Sequence, residues 1–155
     1  MSITLLIDDA KWRKSRGLAS RLKRAAGEAL VQGGGAAGMA LTILLTSDRH
    51  LRALNLSFRG KDTATNVLSF PSSAGEKSHL GDIAVAYGVT AKEAKSSGKS
   101  LIDHATHLAV HGVLHLLGFD HATARQAKAM EGLETKILKA LKVADPYRQE
   151  VASRP

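Results

Sequence analysis

Cysteine is absent from this chain of 155 residues, so it can hold no disulfide framework and no thiolate metal site. A transition metal bound here has only imidazole and carboxylate to coordinate it. No stretch approaches the roughly 18 uninterrupted apolar residues of a membrane span. The opening segment MSITLLIDDAKWRK has acids directly behind its short apolar run and no basic stretch before it, so it does not read as a signal peptide. These absences leave a protein of the reducing cytoplasm, with no membrane partner, as the expectation. Aromatic residues make up only 4% of the chain, and no stacking platform for single-stranded nucleic acid is evident in the sequence. Acids are outnumbered: 14 Asp and Glu stand against 22 Lys and Arg, for a formal charge of +8.

Such an excess asks for a polyanionic partner, because clustered Lys and Arg gain affinity by displacing counterions condensed on a phosphate backbone. The surplus is concentrated in Lys11, Arg13, Lys14, Arg16, Arg21, Lys23 and Arg24, with no acid among them. A solvated helix face that keeps the protein soluble would carry the same residues. With 44% apolar residues the chain can build a core of ordinary domain size. We expect one domain over residues 1–145 and a flexible tail over 146–155.

Hydrophobic periodicity places the elements. Ile3 to Ile7 reads as a strand running into a helix start at Asp8 and Asp9. From Trp12 to Val31, Leu18, Leu22, Ala25, Ala26, Ala29 and Leu30 recur at helical spacing and predict one amphipathic helix, stopped by Gly33, Gly34 and Gly35. Met39 to Leu45 reads as a second strand, and Ser47 or Asp48 caps a short helix bearing Leu51, Leu54 and Leu56. A polar, basic segment from Phe58 to Asn66 leads into a short strand from Val67 to Phe70, a turn from Ser72 to Ser78, and a strand from Leu80 to Tyr87. Thr90 with Glu93 forms a capping box for the next helix, and Ser100 with Asp103 another, opening an apolar helix that runs to Leu117. Thr123 caps a last helix, which ends at Asp145 and Pro146. The mixture is α+β: a small mixed sheet of about four strands packed with about five helices.

Five of the seven histidines fall between His104 and His121, in HATHLAVHGVLHLLGFDH. His111 and His115 are four apart, which on a helix leaves them about 40° apart in azimuth and one turn apart along the axis, so both rings can reach one ion. A third ligand has to come from outside the helix. Gly118 supplies the means, since a glycine past the last turn adopts the left-handed conformation that reverses the chain, and Phe119 then packs back on Leu114. His121 can thereby return to the face bearing His111 and His115. Three imidazoles leave a tetrahedral ion one open position, the arrangement of a catalytic zinc rather than a closed structural one. His107, four before His111, lies about 12 Å along the axis from His115, so all three helical residues cannot share one ion. We place His107 and His104 behind the ligands or against substrate. The metzincin peptidases share the spacing H-x3-H-x2-G-x2-H but carry Glu directly after the first His as general base. Gly112 occupies that position here, so peptide hydrolysis by that route lacks its base.

The run HGVLHLLGFDH, together with LNLSFRGKDTATNVLSFP and LGDIAVAYG, closely resembles the YbeY family of endoribonucleases that mature ribosomal RNA. The three blocks agree in order and spacing over Leu54 to His121, and the surrounding element pattern is compatible from Ile3 to about Leu141. The resemblance implies that one Zn2+ is held by His111, His115 and His121, and it puts the family's functionally important arginine at Arg59. Many members have Asp where Asn66 stands, and a second version of the motif has Asn. Implied as well are a small mixed sheet with helices around it, with the zinc site on a central helix and the following turn, opening into a cleft. The implied activity is metal-dependent cleavage of single-stranded RNA in maturation of the 16S ribosomal RNA 3′ end and in ribosome quality control. Its implied partners are ribosomal RNA, the small ribosomal subunit with one of its proteins, and a ribosome-associated GTPase.

The chemistry of phosphodiester cleavage is compatible with these residues. Negative charge grows on the phosphoryl oxygens during transfer, and a guanidinium can bind two of them at once. Arg59 and His115 are therefore the candidate catalytic residues. Asp120 could orient an imidazole or water, or cap the last helix, and Asp82 and Ser69 could line the cleft or serve ordinary strand and turn roles. A binding reading competes with the enzymatic one: a ribosome-assembly factor that grips RNA through its basic stretch, with zinc as a structural element.

Overall fold

Alternation at the N-terminus puts Ile3, Leu5 and Ile7 against the core and their neighbours outside, which makes β1 (Ser2–Ile7) a strand with one buried face. The computed structural model describes residues 2–35, 38–72 and 78–147. Asp9 then caps a short 3-10 turn over Ala10–Lys14 that buries Trp12. The Trp12 indole N–H donates to the Thr46 carbonyl at 3.0 Å. This anchor corrects the expectation of one helix from Trp12 to Val31. The 3-10 turn is tied to the end of β2 (Ala40–Thr46), the chain reverses at Gly17 with φ +83°, and α1 (Leu18–Gln32) starts afresh.

Ser47 caps α2 (Asp48–Arg59) by accepting from the His50 backbone N–H, and Gly60 ends it with φ +70°. Arg59 therefore sits on the last helical turn, so the polar segment read from Phe58 to Asn66 begins inside α2. The strands β3 (Val67–Pro71) and β4 (His79–Ala86) follow. Next comes α3 (Tyr87–Ser96), which begins directly after β4, so Thr90 lies buried inside it instead of capping it. The cap comes from elsewhere in the fold: the Asp48 carboxylate at the start of α2 accepts from the Val89 backbone N–H at 3.0 Å. A charged acceptor at that end satisfies an orphan donor and opposes the helix dipole. Ser100 caps α4 (Leu101–Leu116), and Thr123 with Gln126 forms the capping box of α5 (Ala124–Ala140).

The four strands form one sheet in the order β1-β2-β4-β3, with β1, β2 and β4 parallel and β3 antiparallel on the edge. With five α-helices around it this is an α+β fold. One face of the sheet presents Leu41, Ile43, Leu45, Ile83 and Val85 to α1 and α4, and α5 closes the same core with Met130, Ile137 and Leu138. The other face presents Leu68, Ala84 and Ala86 to Leu51 of α2. Among the described residues no helix is long and apolar enough to cross a membrane. The expected tail lies outside the described residues from 148 onward, as do residues 73–77 of the expected turn.

Gly81 permits a close backbone approach between β4 and β3. A methyl group there would run into the Phe70 carbonyl oxygen on β3 and the Leu116 side chain at the end of α4. Gly81→Ala should accordingly destabilise the protein by about 1–3 kcal/mol, read as a lower denaturation midpoint at unchanged slope. An unchanged midpoint would mean that β3 is not held where the sheet places it.

Candidate metal centre and cleft

Local structure alone brings the three histidines together. His111 and His115 lie one turn apart on α4. Gly118, with φ +100°, donates its N–H to the His115 carbonyl, and Phe119 donates to the Leu114 carbonyl, both at 3.0 Å. This pair of bonds is the Schellman reversal, and Phe119 packs on the core cluster that contains Leu114. The reversal returns His121 to the helix face. Ring centroids stand 4.5 Å apart for His111 and His115, 5.1 Å for His115 and His121, and 5.8 Å for His111 and His121.

One ligand atom from each of the three rings lies within 4.8 Å of the others. The Nε2 atoms of His111 and His115 are 3.0 Å apart, close to the roughly 3.3 Å at which two imidazoles stand on one tetrahedral ion with bonds of about 2.0–2.1 Å. These residues could hold a metal ion. His111 and His115 are half-buried and His121 is exposed, so the donor set is open on the side of His121. Burial, and then the neighbouring His111 and His121 rings, pull the His115 pKa below the usual imidazole value. The neutral form that a metal needs is thus favoured.

Behind His111 stands a residue the sequence reading missed. Glu134 of α5 is 1% exposed. Its Oε1 accepts from His111 Nδ1 at 2.8 Å and from His107 Nε2 at 3.2 Å, while its Oε2 accepts from the Tyr147 hydroxyl at 2.8 Å. Burial by itself would raise the Glu134 pKa, but the hydrogen bonds from His107 and His111 overcome it and bring the value to about 2. An ionised carboxylate can only accept, so His111 donates from Nδ1, and Nε2 is the nitrogen turned toward the shared point. The Tyr147 phenol is pushed up by burial and by the Glu134 charge, which keeps it a donor. A signal for Glu134 did exist: it stands four after Met130 and four before Leu138, an acid in the middle of an apolar stripe. A buried acid of that kind needs partners.

The histidines open into a cleft of about 870 Å³, lined also by Arg59, Asn66, Lys92, Glu93 and Tyr147. At the end away from the three ligand rings, His104 Nε2 lies 2.8 Å from Glu93 Oε1, which also accepts from Asn66 Nδ2 at 3.0 Å. Burial lowers the His104 pKa against the opposing pull of Glu93. His107 touches Glu134 and takes no place among the three ligand rings. Asp120 accepts from the His121 backbone N–H at 2.7 Å, and the cap of α5 is Thr123. Asp82 pairs with His79 on β4 at 3.0 Å, away from the histidine cleft. The Ser69 hydroxyl donates to the Gly112 carbonyl at 3.1 Å, tying the edge strand to α4. Gly112 itself faces the sheet. A Cβ there would stand 3.0 Å from the Ile83 side chain, so a carboxylate at that position would be aimed into the core and not at a metal.

The family described as Endoribonuclease YbeY matches residues 7–142 of the chain. An Endoribonuclease YbeY of Chelativorans sp. (strain BNC1) is 43% identical, over 94% of this chain and 93% of its own. One of Maricaulis maris (strain MCS10) is 40% identical, over 96% and 93%. The solution structure of a Thermotoga maritima protein, 22% identical, superposes with a TM-score of 0.60 over 93% of this chain and 97% of that one, which shows a shared fold.

Glu134→Gln keeps the shape but loses the charge that fixes the His111 tautomer. Its affinity for zinc should fall by about 10- to 100-fold in competition with a chromophoric chelator, while the circular dichroism spectrum stays native. Equal affinity in the two proteins would show that Glu134 does not govern the ligand.

Proposed function

The chain belongs to the YbeY endoribonuclease family, and on that footing we propose that it is a zinc-dependent endoribonuclease. We infer that it cuts single-stranded RNA, acting in the cytoplasm in maturation of the small-subunit ribosomal RNA 3′ end and in ribosome quality control. Small-subunit RNA and protein, together with a ribosome-associated GTPase, are the partners this reading takes in.

One observation carries it: three imidazoles converge with an open side inside a cleft that also receives Arg59 and Lys92. A donor set of three imidazole nitrogens with no thiolate suits zinc. Zinc there would supply Lewis-acid polarisation of a phosphoryl oxygen and a lowered water pKa. The chain's own groups do the rest. The Arg59 guanidinium, exposed at the end of α2, can take two phosphate oxygens in a fork and hold the scissile group in register. Lys92 adds a positive charge on the cleft wall, where the strand's phosphates must pass. Glu134 keeps His111 oriented, and burial favours the neutral form of His115 that a ligand needs.

The binding-only reading draws on a different surface. Lys11, Arg13, Lys14, Arg16, Lys23 and Arg24 are exposed around the 3-10 turn and α1, and none of them lines the histidine cleft. RNA held there would need no metal.

Cleavage separates the two readings. Purified protein should cut single-stranded RNA, a chelator or His115→Ala should abolish the cut, and Arg59→Ala should slow it about 100- to 1,000-fold with the fold intact. Unchanged cleavage by the metal-free protein or by His115→Ala would defeat the metal-dependent reading. Full ribosomal function in a cell carrying His115→Ala would favour the binding one.

A further inference from the structure

Among the described residues, the face of the sheet that α2 covers is covered only in part. Leu51 and Leu54 of α2 close its upper end over Leu68, Ala84 and Ala86. Below them a groove of about 1060 Å³ is left open, with Leu6, Thr42, Leu44, Phe70 and Asp82 on its sheet side and Phe58 on its helix side. Leu6 is 52% exposed and Phe58 69%. Large apolar groups so exposed at one place mark a binding surface.

Three features point to what binds. Aromatics are scarce in this chain, with three phenylalanines in all, yet two of them meet here: the Phe58 and Phe70 rings stand 5.2 Å apart between centroids. Proximity in the fold thus creates an aromatic surface, its two rings inclined at 58°, that the sequence did not reveal. Secondly, Arg59, next to Phe58 on α2, lies on the lining of this groove and of the histidine cleft alike. Between the two runs the edge strand β3, with Val67 in the cleft and Phe70 in the groove. Thirdly, the groove floor carries the Asp82 carboxylate beside His79. A carboxylate repels a phosphate but accepts from an exocyclic amine, and the Thr42 hydroxyl can pair with a base edge. Bases, not backbone, suit this floor.

We propose that this groove is the second half of the RNA path, taking unpaired bases of a single strand on the Phe58–Phe70 surface while Arg59 holds the phosphate that passes between groove and cleft. The proposal rests on the endoribonuclease reading and adds a subsite to it. It accounts for a preference for single strands, because a base can lie on Phe58 only when it is free of its partner. It also separates roles along the path: the cleft acts on the phosphodiester, and the groove grips what lies beyond it.

The test uses the full-length protein and an unstructured single-stranded RNA oligonucleotide, with binding read by fluorescence anisotropy in chelator, where the strand stays whole, and cleavage read in zinc. Phe58 is exposed, so Phe58→Ala should fold and melt like the parent. Its Kd for the oligonucleotide should rise on the order of 10- to 100-fold, and Phe58→Trp should restore it. An abasic oligonucleotide of the same length should bind the parent and Phe58→Ala equally, and duplex RNA should be indifferent to the substitution. Parent protein that cuts RNA while Phe58→Ala binds it normally would overturn the subsite and leave the endoribonuclease reading standing. Parent protein that holds zinc yet neither binds nor cuts RNA would overturn both. Loss of a ribosomal protein contact in Phe58→Ala, with RNA affinity unchanged, would assign the groove to a protein and overturn the proposal.

Discussion

A buried negative charge organises this molecule. Glu134 lies in the apolar face of α5, where an unpaired carboxylate would be too costly to keep ionised. Three donors satisfy it, from His107 and His111 on α4 and from Tyr147 beyond the end of α5. One side chain thus fixes the relative placement of two helices and of the segment that follows them. The same bonds settle which nitrogen of His111 faces Glu134, so the packing of α5 on α4 and the orientation of a ring in the three-histidine cluster depend on one interaction.

The rest of the scaffold serves to hold α4 firmly. Its two faces have opposite tasks. On one side Gly112 lets the helix backbone approach Ile83, and the Ser69 hydroxyl ties the Gly112 carbonyl to the edge strand. On the other side stand His104, His107, His111 and His115. A helix so closely seated on a sheet cannot easily shift its rings relative to Arg59, which reaches the cleft from the last turn of α2. Rigid support of this kind is what a ligand set built at a helix end requires. The Thermotoga maritima structure keeps the fold at only 22% identity, as expected where the arrangement of layers and not particular surface residues sets the architecture.

Charge and apolar surface are also divided by region. Basic residues crowd the 3-10 turn and the exposed side of α1, while the uncovered sheet face is apolar with an acid in it. A uniform polyanion-binding shell would look different. The cleft lies apart from the basic cluster and shares Arg59 with the groove, so the molecule carries adjoining surfaces of distinct chemistry.

The sequence alone determined what depends on neighbours a few residues apart. The i, i+4 pair His111 and His115, the reversal at Gly118 and the return of His121 are all governed by local backbone geometry, and so the three-histidine cluster is legible in the order of the residues themselves. Strand alternation and the caps at Ser47, Ser100 and Thr123 are legible for the same reason. Where a distant group competed, local reading went astray: Thr46 captured Trp12 and split the first helix, and Asp48 replaced Thr90 as the cap of α3. Only the tertiary structure could pair Glu134 with His111, bring Tyr147 to Glu134, set Asn66 beside Glu93, and bring Phe58 against Phe70. Those partners are 12 to 27 residues apart, beyond the reach of helix or strand periodicity, and what joins them is the burial of the side chains between.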